Sequence, residues 1–179
     1  MKHFELSLIR PKLSFKTQDS TLPYISKIID YGYHIDFDVF LESKGCNLQR
    51  QLCWTLNQKQ ELIFSVLKGI EIPTLSILLR EEEDGKRIFM VIDGKQRLNA
   101  ITSYYNNEFP IKLDGEDYYF NDLGSSQSLI SILMLKVKMA YDYFDDKIPD
   151  EELIKWFNLI NFSGTEQDKK HIDFLNSLI

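Results

Sequence analysis

The stretch Val91-Ile92-Asp93-Gly94-Lys95-Gln96-Arg97-Leu98 decides how the rest of the chain is read, because a buried apolar run stops there and an amphipathic one begins. Upstream, Arg87-Ile88-Phe89-Met90-Val91-Ile92 has the β-branched and aromatic content of a buried strand. Downstream, Leu98, Ile101, Thr102 and Tyr105 recur at the i, i+3, i+4, i+7 spacing of one helix face. The spacing predicts a strand-to-helix turn. The first N–H groups of such a helix lack intrahelical partners and point beyond the strand end, where an anion is favoured.

Working back from the turn, Thr74-Leu75-Ser76-Ile77-Leu78-Leu79 reads as a strand joined to Arg87-Ile92 through Glu81-Glu82-Glu83-Asp84-Gly85 as a hairpin. This first Asp-Gly pair is turn chemistry and serves as a control for the second, at 93 and 94. Only the second opens a helix. Earlier still, Leu62, Ile63, Val66 and Leu67 form one apolar stripe, with Asn57 and Gln60 as a capping pair and Gly69 as a left-handed stop. Residues 4–10 read as a strand and 22–31 as a helix, with 14–20 as a polar linker between them. Trp54 reads as core.

Forward from the turn, residues 109–113 and 118–120 flank Asp114-Gly115 as a small surface hairpin. Residues 128–143 read as helix, then strand, since Leu135, Val137 and Met139 alternate with Lys136 and Lys138. Residues 145–148 are a second linker candidate. Acid-rich Asp150-Glu151-Glu152 starts one closing helix, and Thr165-Glu166-Gln167-Asp168 resembles a capping box ahead of another. The expectation is an α+β fold in one domain over residues 1–179, with 149–179 as a C-terminal helical extension.

Composition narrows the function. The chain has 179 residues, 44% hydrophobic and 27% charged, which allows a full core. Its 21 Lys and Arg against 27 Asp and Glu give a net charge of -6, against broad wrapping of nucleic acid. No apolar window approaches a membrane span and the N-terminus lacks an apolar leader core, so a cytoplasmic protein without a membrane partner is expected. Cys46 and Cys53 have no partners at metal spacing, and His3, His34 and His171 are scattered. Nuclease chemistry within the chain is not expected.

At the turn, Asp93 and Gly94 are explicable as an N-cap and a turn residue without any ligand. Lys95 and Arg97 are different. In a first helical turn they oppose the macrodipole, and an anion would resolve that conflict. Phosphate oxygens would accept from the N–H groups after Gly94 and from Arg97, while Asp93 would hold a metal ion or orient a water. Arg50, between Gln49 and Trp54, is either a site residue or a surface cation stacked on indole. Asn161, before Phe162-Ser163-Gly164, is either a helix cap or a site residue.

These residues resemble, in order, the landmarks of the domain family named for its Asp-Gly-Gln-Gln-Arg motif. That domain is the N-terminal half of GmrSD-type modification-dependent restriction enzymes, and is assigned to the ParB/sulfiredoxin-like fold. The resemblance rests on Gln49-Arg50 with Trp54, Gly69-Ile70-Glu71-Ile72-Pro73, the Ile92 to Leu98 centre, and Asn158-Leu159-Ile160-Asn161-Phe162-Ser163-Gly164. It implies a small mixed sheet with surrounding helices, two of them C-terminal, and binding of a nucleoside triphosphate with Mg. Asp93, Gln96 and Arg97 would be catalytic, with Asp93 also the metal ligand. Gln49, Arg50, Gly94, Lys95 and Asn161 would bind the nucleotide. Lys95 stands where the family motif has Gln, which implies either an added phosphate contact or loss of hydrolysis. The family's nuclease half, with its His-Asn-His centre, has no counterpart here, so a separate nuclease subunit is implied for cleavage. The alternative is a non-catalytic module that senses DNA or binds a protein through the same basic turn.

Overall fold

A computed structural model of the chain describes residues 13, 15–21, 34–123, 134–142, 147–162 and 169–178. In chain order its strands are β1 (Phe15–Thr21), β2 (His34–Asp36), β3 (Phe40–Leu41), β4 (Cys46–Asn47), β5 (Leu75–Glu81), β6 (Arg87–Asp93), β7 (Ile111–Leu113), β8 (Glu116–Tyr118) and β9 (Met134–Asp142). Four helices accompany them: α1 (Leu56–Leu67), α2 (Lys95–Tyr105), α3 (Asp150–Phe162) and α4 (Lys169–Asn176). The class is α+β.

Five strands make one mixed sheet in the order β1-β9-β5-β6-β2. β5 and β6 form the expected hairpin, and Gly85 turns it at φ 77°. β5 runs parallel to β9, and β2 parallel to β6. Alternation along each strand sends side chains to two cores. On one face Leu75, Ile77, Val91, Val137 and Met139 pack with Ile63 and Val66 of α1 and with Leu98, Ile101 and Tyr104 of α2. On the other, Leu78, Met90, Ile92 and Ala140 pack with Val39, Leu41 and Leu48, and with Leu153, Ile154, Trp156 and Phe157 of α3. Burying each of the larger apolar side chains contributes roughly 1.5–3 kcal/mol. A polar tie joins two adjacent strands, where Arg80 Nε donates to Asp142 Oδ2 at 2.5 Å.

Three expectations are corrected. Residues 14–20, read as a linker, lie largely in β1, which pairs antiparallel with β9 from Phe15↔Ala140 to Thr21↔Met134. Among the described residues it has one neighbour, at the end of the sheet, so polar sequence is tolerated there. Helix α1 is capped by Thr55 and Gln58 in a reciprocal capping box, two residues ahead of Asn57 and Gln60. Asp93 is the last residue of β6, and Gly94, at φ 94°, is the N-cap of α2. Gly69, at φ 75°, follows α1 as a left-handed stop, and Asp114 and Gly115 turn the β7–β8 hairpin at φ 52° and 86°. The strand expected at 4–10, the helix at 22–31, the helix expected ahead of β9 at 128–133 and the Thr165–Asp168 capping box lie outside the described residues. Among the described residues no helix is long and apolar enough to cross a membrane.

Candidate functional site

The strand-to-helix turn opens into a pocket lined by Gln49, Arg50, Trp54, Asp93, Gly94, Lys95, Gln96, Arg97 and Phe157. Its enclosed volume is about 110 Å3, below the ~300–1,000 Å3 typical of sites that engulf a small molecule, so it is a shallow polar cleft. The sequence-predicted residues therefore converge, Asn161 excepted. Asn161 sits one turn behind Phe157 in α3, where its Nδ2 donates to the Phe157 carbonyl at 2.8 Å, and it does not line the pocket.

Gly94 is required twice over. Its φ of 94° is a conformation that side chains disfavour, and a Cβ there would stand 2.3 Å from Leu75 Cδ2. Leu98 N donates to Gly94 O at 2.8 Å, closing the first turn of α2. The N–H groups of Lys95, Gln96 and Arg97 thus precede the first intrahelical bond, and all three residues line the pocket.

Arg97 is held at both sides of its fork. Its Nη2 donates to Asp93 Oδ2 at 2.7 Å and its Nη1 to the Pro73 carbonyl at 2.5 Å. Lys95, whose side chain is only 3% exposed, pairs its Nζ with Asp38 Oδ1. Each of these two cations already has a carboxylate from the chain. Arg50 does not. It is exposed at the pocket and has no hydrogen-bond or ion-pair partner among the described residues. Two of the three pocket cations are neutralised, leaving one net positive charge beside the positive end of α2.

Gln96 clamps the segment that carries Trp54. Its Oε1 accepts from Cys53 N at 3.1 Å and from Trp54 N at 3.2 Å, and its Nε2 donates to Gln51 O at 3.0 Å. Both acceptor positions of the amide oxygen are thereby used. Gln49 is buried and donates through Nε2 to the Val91 carbonyl, tying the start of the same segment to β6. Trp54 is half-buried and lines the pocket, not the core, which corrects the sequence reading.

Asp93 is 8% exposed, and its Oδ1 has no partner among the described residues. A single carboxylate oxygen suits magnesium, which is commonly held by one or two carboxylates together with phosphate oxygens. Among the described residues no group of three or more His, Cys, Asp or Glu gathers as a metal site, here or elsewhere, so Asp93 is a lone carboxylate. Sequence reasoning missed Asp38 and Phe157. Phe157 belongs to the apolar stripe of α3 and looks like core, and Asp38 lies 57 residues from its partner.

A pocket at a strand-to-helix turn, built on a small mixed sheet, marks the chain as an α+β domain. Residues 47–178 match the family described as the N-terminal domain of the GmrSD restriction endonuclease, and the chain belongs to that family. The match takes in every residue lining the pocket and relates the chain to restriction systems. No curated protein and no solved structure matches the chain.

Proposed function

We propose that this pocket holds the phosphates of a nucleoside triphosphate with magnesium, and that the chain is a nucleotide-binding, NTP-hydrolysing domain. It would act in the cytoplasm as the regulatory half of a modification-dependent restriction system, with a separate nuclease subunit as partner and DNA as the eventual target. On this reading the fold is of the ParB/sulfiredoxin-like type. The observation that carries it is Arg50, a guanidinium without a partner among the described residues that lines the same pocket as the N-terminus of α2 and Trp54.

The roles follow from the geometry. The N–H groups of residues 95–97 and the Arg50 fork face the phosphates, an arrangement that suits bidentate recognition. Trp54 offers an aromatic face to a base. Magnesium, when bound, would offset phosphate charge beside Asp93 Oδ1. Asp93 otherwise accepts a proton or a hydrogen bond from the attacking water. Gln96 and Gln49 position the 49–54 segment, and Arg97 fixes Asp93. The alternative, a non-catalytic DNA-sensing or protein-interaction module, draws less support because the net charge of -6 works against DNA and Arg97 is held at both sides of its fork.

The test is a thermal-shift screen of the four nucleoside triphosphates with and without magnesium, followed by a hydrolysis assay. At least one nucleotide should raise the melting temperature, because a ligand that binds only the folded state stabilises it. Asp93→Asn should abolish turnover of that nucleotide. Wild-type protein that neither shifts nor hydrolyses any of the four contradicts the reading.

A further inference from the structure

The pairing of Lys95 with Asp38 is unequal. The Lys95 side chain is 3% exposed and lines the pocket, whereas that of Asp38 is 59% exposed. β2 runs parallel to β6, with Asp36 level with Met90, so Asp38 comes off the same sheet end at which β6 delivers Asp93, Gly94 and Lys95. The Asp38 N–H donates to Asp36 Oδ1 at 2.8 Å, which shapes the short loop that carries it. A carboxylate this exposed loses little solvation energy either way and can rotate into water. An ammonium this buried cannot follow it and needs a new anion in its place.

We infer that Asp38 is an exchangeable counter-ion for Lys95: the phosphate group entering the pocket displaces the Asp38 carboxylate and takes over the ammonium. This rests on the proposed reading only in placing a phosphate in that pocket. It gives Lys95 a defined task. In the free protein the lysine is neutralised from within, so the site does not present two open cations to every passing anion. A ligand gains Lys95 only by competing with Asp38, which sets a threshold on the charge density the site accepts. A chloride ion or a single carboxylate offers no more than Asp38 already does, whereas a polyphosphate offers several oxygens at once.

The test uses the full chain, inorganic pyrophosphate as the probe, and four proteins: wild type, Asp38→Asn, Lys95→Gln and the double variant. Calorimetry should show Asp38→Asn binding pyrophosphate at least about fivefold more tightly than wild type, in the range of ordinary coupling between sites. The gain should vanish when the Lys95→Gln change is also present. A gain of equal size with and without Lys95→Gln would show only a general field effect and overturns the exchange, as does no gain at all. If Asp38→Asn folds poorly, its melting temperature should rise with pyrophosphate by more than that of wild type, and no such rise overturns the inference. Wild-type binding of a nucleoside triphosphate without a Lys95-dependent effect of Asp38→Asn would leave the nucleotide reading standing and remove this one. The reverse pattern would remove the nucleotide and keep the exchange.

Discussion

Gly94 is the position at which backbone and site meet. A methyl group there would collide with Leu75, which is fully buried on β5, and would sit in a left-handed conformation. Gly94→Ala should therefore cost roughly 2–4 kcal/mol of stability, combining left-handed strain and overpacking. Urea unfolding measures it, and a loss below about 0.5 kcal/mol, the range of an ordinary surface substitution, contradicts the packing described. The neighbouring residues show how far a sequence can be read. That Asp93, Gly94, Lys95, Gln96 and Arg97 would share one site was legible, because a strand and a helix abut there. That Lys95 already had a carboxylate was not. Its partner, Asp38, is brought in by the parallel pairing of β2 with β6, and no local pattern announces a contact across that separation. Arg50 stayed ambiguous in sequence because an exposed cation carries no periodic signal.

The segment joining β4 to α1 owes its course to one side chain. Gln96 makes three hydrogen bonds to the backbone of residues 51, 53 and 54, so Gln96→Ala should release this segment while leaving both cores intact. We expect nucleotide affinity to fall by about tenfold with a change in melting temperature of a few degrees at most, as befits three partly exposed hydrogen bonds. Amide hydrogen exchange should rise at Cys53 and Trp54, and unchanged exchange there contradicts the clamp.

Helix α2 carries a second, pH-dependent prediction. Tyr104, fully buried among Phe109 and Phe120, has its phenol pushed up to about 12, first by burial and then by the Asp122 carboxylate. An unfolded tyrosine releases its proton near its ordinary value of 10.0, whereas the folded one holds it. Stability is therefore full below pH 10 and falls as pH rises through 12. Urea unfolding at pH 9 and pH 11 should show a loss in wild type that Tyr104→Phe reduces, and equal losses in the two contradict it. Elements with strong periodicity, the β5–β6 hairpin, α2 and α3, were legible. β1 was not, because Phe15-Lys16-Thr17-Gln18-Asp19-Ser20-Thr21 is polar and its strand character comes from pairing with β9.

The two cores meet at the pocket. Phe157 belongs to the core under α3 yet forms part of the pocket wall, while Gly94 rests on Leu75 of the opposite core. The start of α3 is in turn held by the loop after β3: Ser43 N and Oγ both donate to Asp150 Oδ2 at 2.8 Å, and Lys44 pairs with Glu151 at 2.8 Å. A change on either face of the sheet is thus passed to the walls of one site. The α+β class and the two closing helices could be read from spacing, but not the arrangement that makes α3 a wall of the pocket, since tertiary packing alone decides it.

On the proposed reading Arg50, without a partner among the described residues, faces nucleotide phosphate. Titration of the wild type and of Arg50→Ala with the nucleotide that gives the largest thermal shift tests it most directly. Loss of one charge-assisted contact to phosphate should weaken binding by about tenfold or more while the unliganded melting temperature stays unchanged. Equal affinity in the two proteins would contradict the account.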